Sequence, residues 1–110
     1  MRLPNADNAE IDTRKLKDYC LNPNHEVGKH KARVFAAALN LRIEDHAFLK
    51  EQLIKAVVEN DAVSGVFNKY GQRYVVNFEL EHDGRTAVVE SVWLIDTGSE
   101  VPRLITCRVL

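Results

Sequence analysis

Little in this chain invites cofactor or covalent chemistry. Its 110 residues include only two cysteines, Cys20 and Cys107, far apart and in no CxxC pair. That leaves no disulfide framework and no cysteine metal knuckle, so both read as reduced core thiols. Neither has a basic neighbour in sequence to activate it as a nucleophile. The five glycines are scattered singly, which excludes the phosphate-cradling loops of Walker and dinucleotide-binding enzymes. Ser64-Gly65 and Ser91 lack the context of a nucleophile elbow. No apolar run approaches the roughly 18 residues a membrane span needs, and the first eight residues have no apolar signal core. A cytoplasmic protein without membrane contact is the expectation. The formal net charge of −1 gives no whole-molecule reason to expect nucleic acid.

What the chain does have is concentrated between Asn22 and Phe35. A loop with Pro23 and His25 runs into a helix start carrying Gly28, Lys29, His30 and Lys31. From Arg14 to Arg33, six Lys or Arg stand against Asp18 and Glu26. A helix N-terminus already favours anions through its free amides and dipole. Acids are the usual first-turn residues; here bases stand instead. His adds a group able to exchange protons near neutral pH. The alternative is a solvated helix start that happens to be basic. His25 and His30 are five apart, which is not a ligand spacing on one helix face, and no carboxylate or Cys stands in register. No metal and no cofactor is therefore expected, and His46 and His82 read as surface residues.

The chain reads as one α+β domain, 1–110, with three N-terminal helices packed on a three- to four-stranded antiparallel sheet. Residues 1–11 form an irregular arm, 12–60 the helical half and 61–110 the sheet. A first helix runs from Asp12 or Thr13 to about Leu21, with Leu16, Tyr19 and Cys20 inward, and Pro23 stops it. A second opens at Gly28 and ends at Leu39, with Asn40 as a left-handed cap. A third covers about Glu44–Glu59. The period then changes to two: Tyr74, Val76, Phe78 and Leu80 share one strand face. Asp83-Gly84 signals a two-residue hairpin, residues 85–96 form the central strand, and Arg103–Leu110 the last. A short extra strand near 62–67 is allowed.

These residues suit metal-independent phosphodiester cleavage. It needs proton-transfer groups and cations on the developing phosphorane charge, with the RNA 2′-OH as nucleophile. His25, Lys29, His30 and Lys31 supply such groups from the helix start. Arg73, Arg103, Arg108 and the Thr106 hydroxyl stand on strands able to reach the same side. Tyr70 and Trp93 offer stacking surfaces for a base, although a Trp in a central strand is more often a core residue and Arg73 more often a solvated one.

The run Leu3-Pro4-Asn5-Ala6, then Leu21-Asn22-Pro23 with His25, Gly28, Lys31-Ala32 and Phe35, Gly71-Gln72-Arg73-Tyr74-Val75-Val76, Gly84-Arg85-Thr86-Ala87 and Val101-Pro102-Arg103-Leu104 resembles one bacterial domain-of-unknown-function family. Its members stand alone or form the C-terminal module of large secreted polymorphic toxins. The resemblance spans nearly the whole chain, with an LNP-x-H-x-x-G-x-x-K-A-x-x-F core. It implies a barnase/EndoU/colicin/RelE-like ribonuclease fold and a toxin–antitoxin setting with a small neighbouring-gene partner. Two functions follow. The first is a toxin-type endoribonuclease acting by 2′-OH transphosphorylation. In it His25 is general base or acid, Lys31 and Arg73 hold the phosphate charge and Thr106 assists; Gly28, Lys29, His30, Arg103 and Trp93 bind the RNA. The second is a non-catalytic, protein-binding component of a two-gene module.

Overall fold

Two periodicities divide the molecule into layers. The computed structural model describes residues 1–110. Apolar side chains at three- and four-residue spacing make the inward faces of α2 (Lys29–Leu39) and α3 (His46–Glu59). Ala32, Phe35 and Leu39 are buried on the first, and Leu49, Leu53, Ala56 and Val57 on the second. Beyond Asn60 the alternation of two takes over, in β1 (Ala62–Asn68), β2 (Gly71–His82), β3 (Arg85–Asp96) and β4 (Pro102–Val109). On β2, Val76, Phe78 and Leu80 are buried while Asn77, Glu79 and Glu81 face water. The sheet is an antiparallel meander in the order β1-β2-β3-β4. Asp83 and Gly84 both take positive φ, 53° and 72°, as the tight turn between β2 and β3 requires.

One core of 20 buried residues joins the layers. At its centre Trp93 on β3 is fully buried, packed among Phe35, Leu104 and the leucines of both helices. Ser91 is the one buried polar residue. Its Oγ accepts from Trp93 Nε1 at 2.9 Å and donates to the Val76 carbonyl at 2.7 Å, so the indole N–H is satisfied inside the core. The C-terminal end of α2 is tied to the β2–β3 hairpin. Asn40 closes the helix with φ 50° and donates to Asp83 at 2.7 Å; Arg85 donates to the Ala37 carbonyl at 3.0 Å. His82 Nδ1 lies 2.7 Å from the Leu39 carbonyl and its ring packs on Phe48. His82 is thus a half-buried helix cap, not a surface residue, and His46 likewise binds the Ile43 carbonyl at 3.0 Å.

Three regular helices standing ahead of the sheet is not the arrangement found. Only Thr13–Lys15 (α1) is α-helical in the first segment, and Leu16–Cys20 winds on as a wider π turn, closed by the Leu21 amide on the Leu16 carbonyl at 2.9 Å. Leu16, Cys20 and Leu21 are all buried, and the wide turn brings positions four and five apart onto one side. The N-terminal arm also enters the sheet before any of these helices. Arg2 bridges to Asp61 beside β1, and Glu10 bridges in parallel to Arg103 on β4. Glu10 exchanges backbone hydrogen bonds with Pro102 and Leu104 at 2.8 and 2.9 Å, covering the first half of that edge.

Ser91→Ala removes the acceptor of a fully buried indole N–H. We expect a loss of about 1–3 kcal/mol in urea unfolding with an unchanged m-value; a loss under about 0.5 kcal/mol would show that the core repacks around an unpaired Trp93.

Candidate functional site

The site grows from one close approach. Gly28 sits at the start of α2 with helical φ −68° and ψ −18°, so it is not there for backbone handedness. A Cβ at this position would overlap the Tyr19 carbonyl oxygen and crowd the Tyr19 ring. Only glycine lets the helix start lie against the π turn. This approach brings His25, Tyr19 and Lys31 together.

His25 caps the helix with its ring. Nδ1 accepts from the Val27 amide at 3.0 Å and the Gly28 amide at 2.9 Å, while the His25 carbonyl accepts from the Lys29 amide at 2.9 Å. Backbone amides can only donate, so Nδ1 is the bare nitrogen and the neutral ring carries its proton on Nε2. The ring stands edge-on to Tyr19 with centroids 4.9 Å apart. From the far side of the phenol, Lys31 Nζ donates to Tyr19 Oη at 3.1 Å and lies 5.1 Å from the ring centroid.

Beside this cluster lies an open groove of about 590 Å³ lined by Lys15, Asp18, Tyr19, His25, Ile105 and Thr106. The β3–β4 register slips between Val92 and Trp93, leaving Ile105 without a partner. This bulge in β4 sets two successive side chains, Ile105 and Thr106, on the groove wall. Thr106 Oγ1 lies 3.6 Å from Cys20 Sγ. Behind it both thiols are fully buried. The neighbouring Cys107, with help from Thr106 and the Lys31 charge, draws the Cys20 thiol below its ordinary range against the effect of burial. Cys107 is pushed up by the sulfur of Cys20 and by burial.

Of the expected site residues, His25 and Thr106 line this groove, and Lys31 reaches it through its hydrogen bond to Tyr19. The others do not. Trp93 is sealed in the core and offers no face to a base. Arg73 is exposed on β2, on the sheet face opposite the helices, beside Leu94 of β3. One strand, β3, separates it from the groove-lining wall of β4. Arg103 is clasped to Asp96 across the β3–β4 hairpin at 2.7 and 3.1 Å, and that guanidinium holds the Asp96 carboxyl below its usual range. Arg108 is likewise paired, with Glu90 at 3.0 Å. Of the amides expected to bind an anion, near Gly28 to His30, that of Gly28 donates to His25 Nδ1 and that of Lys29 to the His25 carbonyl, and Gly28 is buried. Lys29 turns to a second groove of about 440 Å³, where it meets Arg33, Arg42 and Glu44 over Leu21, Ala32 and Ala36. His30 is exposed and lines neither groove. Tyr19, Asp18, Lys15 and the thiol pair were not singled out in the sequence. The π turn that presents Asp18, Tyr19 and Cys20 has no sequence period of its own, so no spacing rule could point to them.

The chain belongs to the family described as Domain of unknown function (DUF6883), whose model matches residues 2–110. No curated protein matches it. Among solved structures, its fold is similar to a chain of the contact-dependent growth inhibition toxin–immunity protein complex from Klebsiella pneumoniae 342. The two share 18% identity with a TM-score of 0.68, over 91% of this chain and 98% of that one.

If His25 caps α2 through Nδ1, its loss must be felt in stability. His25→Ala should cost about 1 kcal/mol in chemical unfolding. His25→Asn places an oxygen where Nδ1 was and should recover most of that. Equal stability of His25→Ala and wild type would remove the cap from the account.

Proposed function

We propose that this protein is a metal-independent endoribonuclease of toxin type, which cleaves RNA by attack of a 2′-OH on the adjacent phosphate. The observation that carries it is the convergence of His25, Tyr19 with Lys31, and Thr106 on one groove. The likeness in fold to a chain from a toxin–immunity complex supports the toxin setting and an immunity-type partner.

The ring geometry favours a changed role for His25. With Nδ1 pinned by two amides, His25 is a neutral hydrogen-bond donor through Nε2, suited to the charge that develops on a phosphorane oxygen. Lys31 adds the cation and, through Tyr19, orients a phenol hydroxyl; Thr106 supplies a further donor. Asp18, the one carboxylate lining the groove, is placed to take the 2′-OH proton. Lys15 offsets charge on the leaving oxygen. The second groove, with Lys29, Arg33 and Arg42 at its rim, offers the flanking backbone a cationic seat. Arg73, Arg103 and Trp93 have no part in this scheme.

A second function, as a non-catalytic partner-binding component, is favoured by the β1–β2 hairpin. Val63, Val66, Phe67 and Tyr70 there are 70%, 60%, 76% and 65% exposed along an edge strand open to pairing.

Purified protein should cleave single-stranded RNA in EDTA and leave 2′,3′-cyclic phosphate ends. His25→Asn keeps the helix cap and should lower the rate about 10²–10³-fold. Folded protein that is inert towards RNA, yet binds its neighbouring gene's product tightly, would overturn the nuclease in favour of the partner-binding component.

A further inference from the structure

Beneath the groove lies a feature that RNA cleavage does not use. Cys20 ends the π turn and Cys107 faces inward from β4, opposite Ser91. They are 87 positions apart in sequence, yet both are fully buried in the same core. Cys20 Sγ is also 3.6 Å from the hydroxyl of Thr106, the residue next to Cys107 on the strand. Thr106 lines the groove, so a small solute entering it stands one side chain from the sulfur.

We propose that Cys20 and Cys107 form an oxidisable dithiol, converted by a hydroperoxide into an internal disulfide that ties the π turn to β4 under the groove. Cys20 is the attacking sulfur. Its Sγ forms a bond to the outer peroxide oxygen as the O–O bond breaks; the alcohol (water, for hydrogen peroxide) leaves with a proton, and Cys20 becomes a sulfenic acid. Cys107 Sγ then attacks Cys20 Sγ. The S–S bond forms, the S–OH bond breaks, and water departs with the Cys107 proton. Two thiols are oxidised to one disulfide, and the peroxide is reduced by the same two electrons. The order follows from the surroundings: Cys107 first, then Thr106 in contact with the sulfur and the Lys31 charge, favour the Cys20 thiolate, while Cys20 and burial keep Cys107 protonated. In the disulfide, Thr106 loses its thiol partner, so the redox state is felt at the groove wall.

The test uses the full, folded, reduced chain. After brief hydrogen peroxide, both thiols should disappear together, the intact mass should fall by two hydrogens, and dithiothreitol should restore both thiols. Digestion should yield one peptide pair joined through Cys20 and Cys107. In guanidinium the internal link should form at least about tenfold more slowly, since the fold no longer holds the sulfurs together. In Cys107→Ser, Cys20 should stop at a dimedone-reactive sulfenic acid; if that variant does not fold, the wild-type masses decide. Two thiols still free in the folded protein, oxygen added without a link, or links only between molecules would each overturn the proposal.

Discussion

Everything at the candidate site depends on the contact between Gly28 and the backbone of Tyr19. Without a Cβ, the first turn of α2 lies directly on the π turn. That places a histidine ring, a phenol and an ammonium within one cluster. A methyl group at 28 would push the two segments apart and separate these groups together. The π turn makes the same demand from its side: its extra residue lets Leu16, Cys20 and Leu21 all enter the core while Tyr19 stays at the surface of the groove.

The basic start of α2 is resolved by the same contact. Helix starts are normally capped by an acidic or hydroxyl side chain that accepts from the first amides. Here the bare nitrogen of His25 does that work. No acid is needed, and the first amides of the helix are spent on His25. Lys31 does not sit idle against the helix dipole; its ammonium binds Tyr19 Oη and lies over the ring. Cation and imidazole thus both meet the same phenol ring. At the other end of the helix, Arg85 and His82 meet the last carbonyls, so α2 is held at both termini by side chains of opposite hydrogen-bonding character.

The alternation of Val76, Phe78 and Leu80, the Asp83-Gly84 turn and the left-handed Asn40 were legible because each rests on local period or backbone preference. The first helix was not. Leu16, Tyr19 and Cys20 fit an α-helical face on paper, but burying Leu21 as well requires the wider turn. The edge bridges of Arg2 and Glu10 involve backbone groups, which leave no pattern in side-chain type. At the site, His25, Lys31 and Thr106 carried chemistry that a residue list can rank. Arg103 looks identical in such a list, and only the hairpin register reveals Asp96 as its partner. Trp93 shows the same limit, since its accessibility is decided by what α2 places over it. Tyr19 packs against the core as its place on the apolar face implied, but its hydroxyl contact with Lys31 has no signal in the spacing.

The central claim is that His25 is pinned at Nδ1 and offers Nε2–H to the groove. Two-bond ¹H–¹⁵N correlation of the imidazole measures this directly at a pH where the ring is neutral. The account predicts the Nε2–H tautomer, with the Val27 and Gly28 amide protons hydrogen-bonded to Nδ1. A ring protonated on Nδ1, or one averaging rapidly between tautomers, would contradict it.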